Sequence, residues 1–120
     1  MSYYRNIGDA VRRELDAASI ATTKKANDVS FRHLENAHVL GQSSTRWHTL
    51  VHAKMLVWGI RQRDWREAFG QTYRLLGALT KTFIGWVPHG NTGGANVSPL
   101  KSMPVRDELR QEIDLAKRRA

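Results

Sequence analysis

The sequence predicts an all-α fold: a four-helix array of two antiparallel helical hairpins, followed by a Gly/Pro-rich loop and a short C-terminal helix. Apolar residues recur at the three- and four-residue spacing of helices along most of the chain. Alternation of apolar and polar residues, which would indicate strands, is absent from the sequence. We expect the 120 residues to form a single domain, 1–120, large enough to bury a core without disulfides.

The first two helices are bounded by turn and capping residues. An apolar stripe predicts the first helix over about Tyr4–Thr22. Asp28 is a good N-cap for a second helix over about Val29–Leu40, and Gly41 is a typical C-terminal stop. The short turn after Gly41 predicts that the next helix packs antiparallel to the second.

The third and fourth helices are also marked by capping residues. Ser43 or Ser44 is expected to cap a helix that continues to about Arg61. Asp64 starts the fourth helix, with Glu67 three residues later as in a capping box. Glu67 is predicted to lie opposite the buried face of this helix. The predicted buried stripe of the fourth helix consists of Trp65, Phe69, Leu76, Leu79 and Phe83.

The last part of the chain divides into a loop and a helix. Residues 86–104 hold all three prolines and several glycines, which rule out regular structure over most of this segment. We expect Gly85 to end the fourth helix. The C-terminal helix is predicted from one amphipathic stripe, formed by Val105, Leu109, Ile113 and Ala116.

The composition excludes several kinds of site and partner. The chain has no cysteine, so disulfides, iron–sulfur clusters and thiolate zinc sites are ruled out. Its net charge is +8, but the basic residues are scattered and no nucleic-acid motif is present, so nucleic-acid binding is not expected. Neither a signal peptide nor an apolar run of about 18 residues is found, and we expect a cytoplasmic protein that does not span a membrane.

Four of the five histidines lie between residues 31 and 55, in the second and third helices. Glu35 and His38 are three residues apart, and His48 and His52 are four apart, so each pair shares one helix face. Helical geometry places both pairs on the faces that look into the core, whereas His33 falls on the opposite side and is expected to face solvent.

Glu14 completes the candidate site, because it falls within the apolar stripe of the first helix, where a carboxylate is costly unless it is paired or bound. We therefore predict a metal site on Glu14, Glu35, His38, His48 and His52. Such ligands suit a divalent transition metal, namely zinc, iron, manganese, nickel or copper. A mononuclear site is favoured, because the chain has a single Glu-x-x-His motif, whereas di-iron carboxylate bundles use two.

Other interpretations of the same residues are open. The histidines and carboxylates suit a structural polar network, or metal-free acid–base catalysis, so enzymatic activity is left undecided. A protein-interaction module or homo-oligomer is the alternative function, with hairpins that resemble tetratricopeptide repeats in architecture only. That alternative predicts an exposed apolar patch around Trp47, Trp58 and Trp86. The segment 89–98 suits either anion binding or a series of turns.

Two segments resemble an uncharacterised family of small bacterial proteins, catalogued as a domain of unknown function. The first is HLENAHVLGQ, residues 33–42, which fits HLExAHxLGQ and has His48 and His52 downstream. The second is PHGNTGGANVS, residues 88–98, which contains GNTGGANVS. The resemblance implies a bacterial origin and a compact helical domain, and it assigns no activity and no catalytic residue.

Overall fold

The computed structural model describes residues 2–83 and 103–119, with side chains described for 2–75 and 103–119. These residues form five helices and no strand, which confirms the all-α prediction. None of the described helices is long and apolar enough to cross a membrane. The helices are α1 (Tyr3–Thr23), α2 (Asn27–Gly41), α3 (Thr45–Arg61), α4 (Trp65–Phe83) and α5 (Asp107–Arg118).

From α1 to α4, consecutive helices run antiparallel, and the most extensive contacts pair α1 with α2 and α3 with α4. The start of α1 meets the end of α2, where the Tyr3 hydroxyl donates to the Leu40 carbonyl at 2.8 Å. Towards the other end, the Ser30 hydroxyl donates to the Ala18 carbonyl at 2.9 Å. The two hairpins then meet along α2 and α3.

Two of the helix ends use a left-handed residue that is not glycine. Lys25 after α1 has φ 57° and Arg63 after α3 has φ 54°. At both ends the next amide reaches back to a carbonyl in the last helical turn, Ala26 to Ala21 and Asp64 to Gly59, each at 2.9 Å. This is the hydrogen bond of a Schellman motif, in which glycine is the usual left-handed residue.

Helix α5 covers the α1–α2 hairpin with the predicted stripe. The Asn6 side chain of α1 donates to the Ala116 carbonyl at 2.9 Å. Burial of this stripe adds α5 to the core of the α1–α2 hairpin. The stripe residues Val105, Leu109, Ile113 and Ala116 are all buried.

The patch of exposed tryptophans expected for an interaction module is not found at Trp47 or Trp58. Trp47 is buried and stacks on Tyr4 with a ring-centroid distance of 5.2 Å. Trp58 is half-buried against Phe31, with centroids 4.5 Å apart. Trp86 lies outside the described residues.

Helix α4 is turned the opposite way from the prediction. Trp65 and Phe69 are 55% and 74% exposed, whereas Glu67 is buried and Gln71 is fully buried. The predicted N-cap is present, since the Asp64 carboxylate accepts from the Glu67 amide at 3.0 Å. The predicted orientation was wrong because the buried face of α4 is set by polar contacts, such as that of Gln71 with His52, which hydropathy does not reveal. The side chains of the other predicted stripe residues, Leu76, Leu79 and Phe83, lie outside the described set.

Candidate metal centre

Three histidine side chains converge in the interface between α2 and α3. The Nε2 atom of His38 is 3.0 Å from that of His48 and 3.1 Å from that of His52. The Nε2 atoms of His48 and His52 are themselves 3.1 Å apart. The three nitrogens thus form a nearly equilateral triangle, and all three residues are buried.

Hydrogen bonding alone does not satisfy this triangle. The Nε2 atom of a neutral imidazole either carries a hydrogen or offers a lone pair, and it never does both. Hydrogen-bond donors and acceptors can alternate around a closed set of atoms only when the number of atoms is even. With three members, at least one pair of Nε2 atoms matches two hydrogens or two lone pairs at about 3 Å. A cation bound to three lone pairs removes that mismatch.

The size of the triangle fits a metal ion that caps it on one side. With metal–nitrogen distances of about 2.0–2.1 Å, an ion equidistant from the three nitrogens lies about 1 Å above their plane. The nitrogen–metal–nitrogen angles are then about 95°, between the octahedral and the tetrahedral value. The three histidines could therefore supply one face of a coordination shell and leave the opposite face to other ligands.

A hydrogen-bond chain from α4 sets the tautomer of His52. The Gln71 amide nitrogen donates to the Glu67 carboxylate at 2.6 Å, which orients the amide oxygen towards His52. That oxygen lies 2.6 Å from His52 Nδ1, which must therefore carry the hydrogen. The neutral ring then keeps its lone pair on Nε2, as metal ligation requires. Such outer hydrogen bonds orient histidine ligands and raise their basicity.

The surroundings of His52 also favour the neutral ring. Burial lowers the pKa of His52 to about 4, and the positive charge of Arg74 acts in the same direction. The hydrogen bond to Gln71 opposes this shift. His52 is consequently neutral at physiological pH, ready to bind a cation without first releasing a proton.

Two close helix contacts hold the cluster together. A Cβ atom on Gly41 would lie 2.6 Å from the Trp47 Cβ, so the turn from α2 to α3 can be tight only with glycine there. A Cβ on Gly59 would lie 2.9 Å from the Ala68 amide nitrogen, so α4 approaches α3 closely. The first contact brings His38 towards His48, and the second brings Gln71 within reach of His52.

Neither predicted carboxylate belongs to the group of described ligand atoms that lie within 4.8 Å of one another. Glu14 contacts His33 Nδ1 at 2.6 Å and accepts from the Asn36 amide at 3.3 Å. His33, which was expected to face solvent, is half-buried by this contact. Glu35 is half-buried and lines a groove with Pro104 and other residues in front of α5. Among the described residues, the structure brings together His38, His48 and His52 as a group of potential ligands.

Sequence reasoning missed the polar residues of α4 that support the site. Glu67, Gln71 and Arg74 are all buried, and Glu67 interacts electrostatically with Arg74. Their spacing of four and three residues places them on one helix face. This spacing was a usable signal, but a search limited to histidine and carboxylate ligands passes over glutamine.

Two further buried polar atoms belong to residues that are close in sequence to the histidines of the triangle. Gln42 Oε1 and Thr49 Oγ1 are buried and have no hydrogen-bond partner within the described part of the chain. Gln42 is four residues after His38, directly beyond the end of α2, and Thr49 follows His48 on α3. The segment 89–98, predicted either to bind anions or to form turns, lies outside the described residues.

Comparison with known proteins assigns the chain to a family. No curated protein and no solved structure matches it. The family described as "Protein of unknown function (DUF3703)" matches residues 5–113, a range that includes all three histidines of the triangle. The chain belongs to this family of unknown function.

Proposed function

We propose that this protein binds one transition-metal ion through the Nε2 atoms of His38, His48 and His52. The observation that carries the proposal is the triangle of three buried Nε2 atoms with sides of 3.0–3.1 Å. Three rings from two helices converge on one point, and the tautomer of His52 is already the one that ligation needs. The ligand set is therefore smaller than the five residues predicted from the sequence, with Glu14 and Glu35 left outside it.

The donor atoms favour particular metals. Three neutral imidazoles without thiolate suit zinc, copper and nickel, whereas magnesium and calcium prefer oxygen ligands. Iron and manganese, which were also in the predicted set, are usually held with carboxylates as well. Within the His38–His48–His52 group no carboxylate contributes, so we favour zinc, copper or nickel over iron and manganese.

A single ion is expected at this site. The three Nε2 atoms lie too close together to hold two separate ions, since two-metal centres need about 3.5–4 Å between the ions alone. The imidazoles supply three positions of the coordination shell and no negative charge. We infer that a bound divalent ion takes at least one further ligand, with an anion or water as the simplest choice.

Metal titration of single-residue variants tests the proposal. The purified chain is stripped with a chelator, loaded with Zn²⁺, Cu²⁺ or Ni²⁺, and analysed for bound metal and affinity. We expect one ion per chain in the wild type, and a loss of at least about 100-fold in affinity for His48→Ala and His52→Ala. His33→Ala is the matched control, since it removes a histidine of α2 that is bound to Glu14. Absence of stoichiometric binding for every metal contradicts the proposal, as does equal weakening by the His33 and His48 variants.

A further inference from the structure

The outer face of α4 carries an apolar stripe on the surface of the protein. Trp65, Phe69 and Tyr73 are 55%, 74% and 69% exposed. Because they are four residues apart, they lie along one side of the helix over two turns. An aromatic side chain carries about 150–250 Å² of surface, so the three together expose roughly 400 Å². A patch of this size equals the largest apolar patch of a typical monomer, and such patches are often functional.

The polar and apolar faces of α4 are exchanged relative to those of an ordinary surface helix of a monomer. Its inner face holds Glu67, Gln71 and Arg74, which are buried, while its outer face holds the aromatic stripe. In a monomer, the apolar stripe of an amphipathic helix normally faces the core. The inner face of α4 already carries the hydrogen bonds that connect Glu67 through Gln71 to His52. Its aromatic side chains can therefore be covered only by a partner or by another part of the chain.

We infer that this stripe is the contact surface between two copies of the chain, related by a twofold axis at Phe69. The stripe has Phe69 at its centre and one large aromatic residue at each end, so its two halves are similar in size. A twofold contact requires the same patch on both subunits, and an antiparallel pairing of two α4 helices fulfils this condition. Phe69 then packs against Phe69 of the second copy.

The charges around the stripe are compatible with antiparallel pairing. Arg66 lies beside Tyr73 on the helix circumference, so the twofold axis brings Arg66 of one copy to the level of Tyr73 in the other. That position allows a cation–π contact. Arg66 is three residues from Phe69, so the two copies of Arg66 are about 9 Å apart along the helix axis, slightly beyond the Debye length in physiological salt. A parallel pairing would instead set the two Arg66 side chains side by side.

The area indicates the strength of this association. Standard protein interfaces bury about 800 Å² per partner, and the aromatic stripe supplies about half of that. We therefore expect a dimer that dissociates in the micromolar range, and not an obligate one. Because α4 presents its stripe on the side opposite to Gln71, the contact does not require metal at the histidine triangle.

Sedimentation equilibrium of the full chain tests this inference, between about 5 and 200 μM, with Zn²⁺ and separately with EDTA. We expect a monomer–dimer equilibrium under both conditions. Phe69→Glu places two carboxylates at the twofold axis and should raise the dissociation constant by at least about 30-fold. Tyr73→Ala is a second variant, expected to weaken the dimer in the same direction. Ile20→Glu is the matched control, since Ile20 is 56% exposed on α1, and it should leave the dimer unchanged.

The remaining outcomes contradict the inference. A monomer at 200 μM overturns it, as does a dimer that persists in both the Phe69 and the Tyr73 variants. A dimer that dissociates in EDTA and ignores Phe69→Glu is bridged by metal and not by this face. A monomer that binds phosphatidylserine vesicles through Phe69 would instead assign the stripe to a membrane surface.

Discussion

Gln71 is the residue outside the triangle whose replacement should most affect metal binding. Its side chain is fully buried and makes two hydrogen bonds of 2.6 Å, one with His52 and one with Glu67. We consider the variant Gln71→Leu, which has a similar volume and forms neither bond. His52 then loses the acceptor that fixes its tautomer, and Glu67 loses one of its donors.

The expected magnitudes follow from these two contacts. Loss of an outer hydrogen bond to a ligand histidine typically weakens metal binding by 10–100-fold, or about 1.4–2.7 kcal/mol. The bond to the Glu67 carboxylate is charge-assisted. Leaving Glu67 and His52 buried without their hydrogen bonds to Gln71 should therefore cost about 2–4 kcal/mol of unfolding free energy. The metal-free variant is therefore expected to be less stable as well as a weaker binder.

Competition titration with a chromogenic chelator measures the affinity, and urea denaturation of the metal-free chain measures the stability. Thr72→Ala is the neighbouring control, because Thr72 is exposed and its hydroxyl only returns to the Ala68 carbonyl of its own helix. It should bind metal as the wild type does. If Gln71→Leu binds zinc, copper and nickel with wild-type affinity, then the hydrogen bonds from Glu67 through Gln71 to His52 do not support metal binding. Their role is then purely structural.

Three further predictions follow from the geometry. Burial lowers the pKa of His52 to about 4, so between pH 6.5 and 4 the unfolded chain binds more protons at this residue than the folded chain does. The metal-free protein should therefore lose about 3 kcal/mol of unfolding free energy as the pH falls through that window. A denaturation midpoint that is unchanged between pH 7 and 4.5 would refute this. Lys25→Gly relieves a left-handed residue at φ 57° and should raise the unfolding free energy by about 0.5–1 kcal/mol, whereas a lower stability in urea denaturation would contradict the assigned turn. Gly59→Ala sets a Cβ 2.9 Å from the Ala68 amide nitrogen, so it should both destabilise the chain by about 1–3 kcal/mol and weaken metal binding. A variant with wild-type stability and affinity would show that α3 and α4 do not approach each other so closely.

Helix positions and the histidine faces followed from local patterns. The heptad-like spacing of apolar residues locates α1, and Asp64 marks the start of α4, because periodicity and capping depend only on neighbours in the chain. His38, His48 and His52 were predicted to face inward for the same reason: a residue's place on a helix circumference is set by its number. Convergence of the three rings needed only the additional expectation that α2 and α3 pack antiparallel.

The orientation of α4 and the partner of Glu14 could not be predicted in this way. Hydropathy places Trp65 and Phe69 inside, and it contains no term for a glutamine that orients a histidine on another helix. Likewise, Glu14 sits in an apolar stripe, but its contact with His33 depends on how α1 and α2 are rotated against each other. Both features are set by pairwise polar contacts between helices, which a single-helix pattern does not encode.

X-ray absorption spectroscopy of the metal-loaded chain is the most direct measurement of the central claim. At the zinc, copper or nickel edge, we predict a first shell with three imidazole nitrogens at about 2.0–2.1 Å and at least one further ligand, water or an anion. The His33→Ala variant should give the same spectrum, and His48→Ala should lose imidazole scattering. A shell of oxygen ligands without imidazole scattering, or a spectrum that His48→Ala leaves unchanged, would contradict a metal centre on His38, His48 and His52.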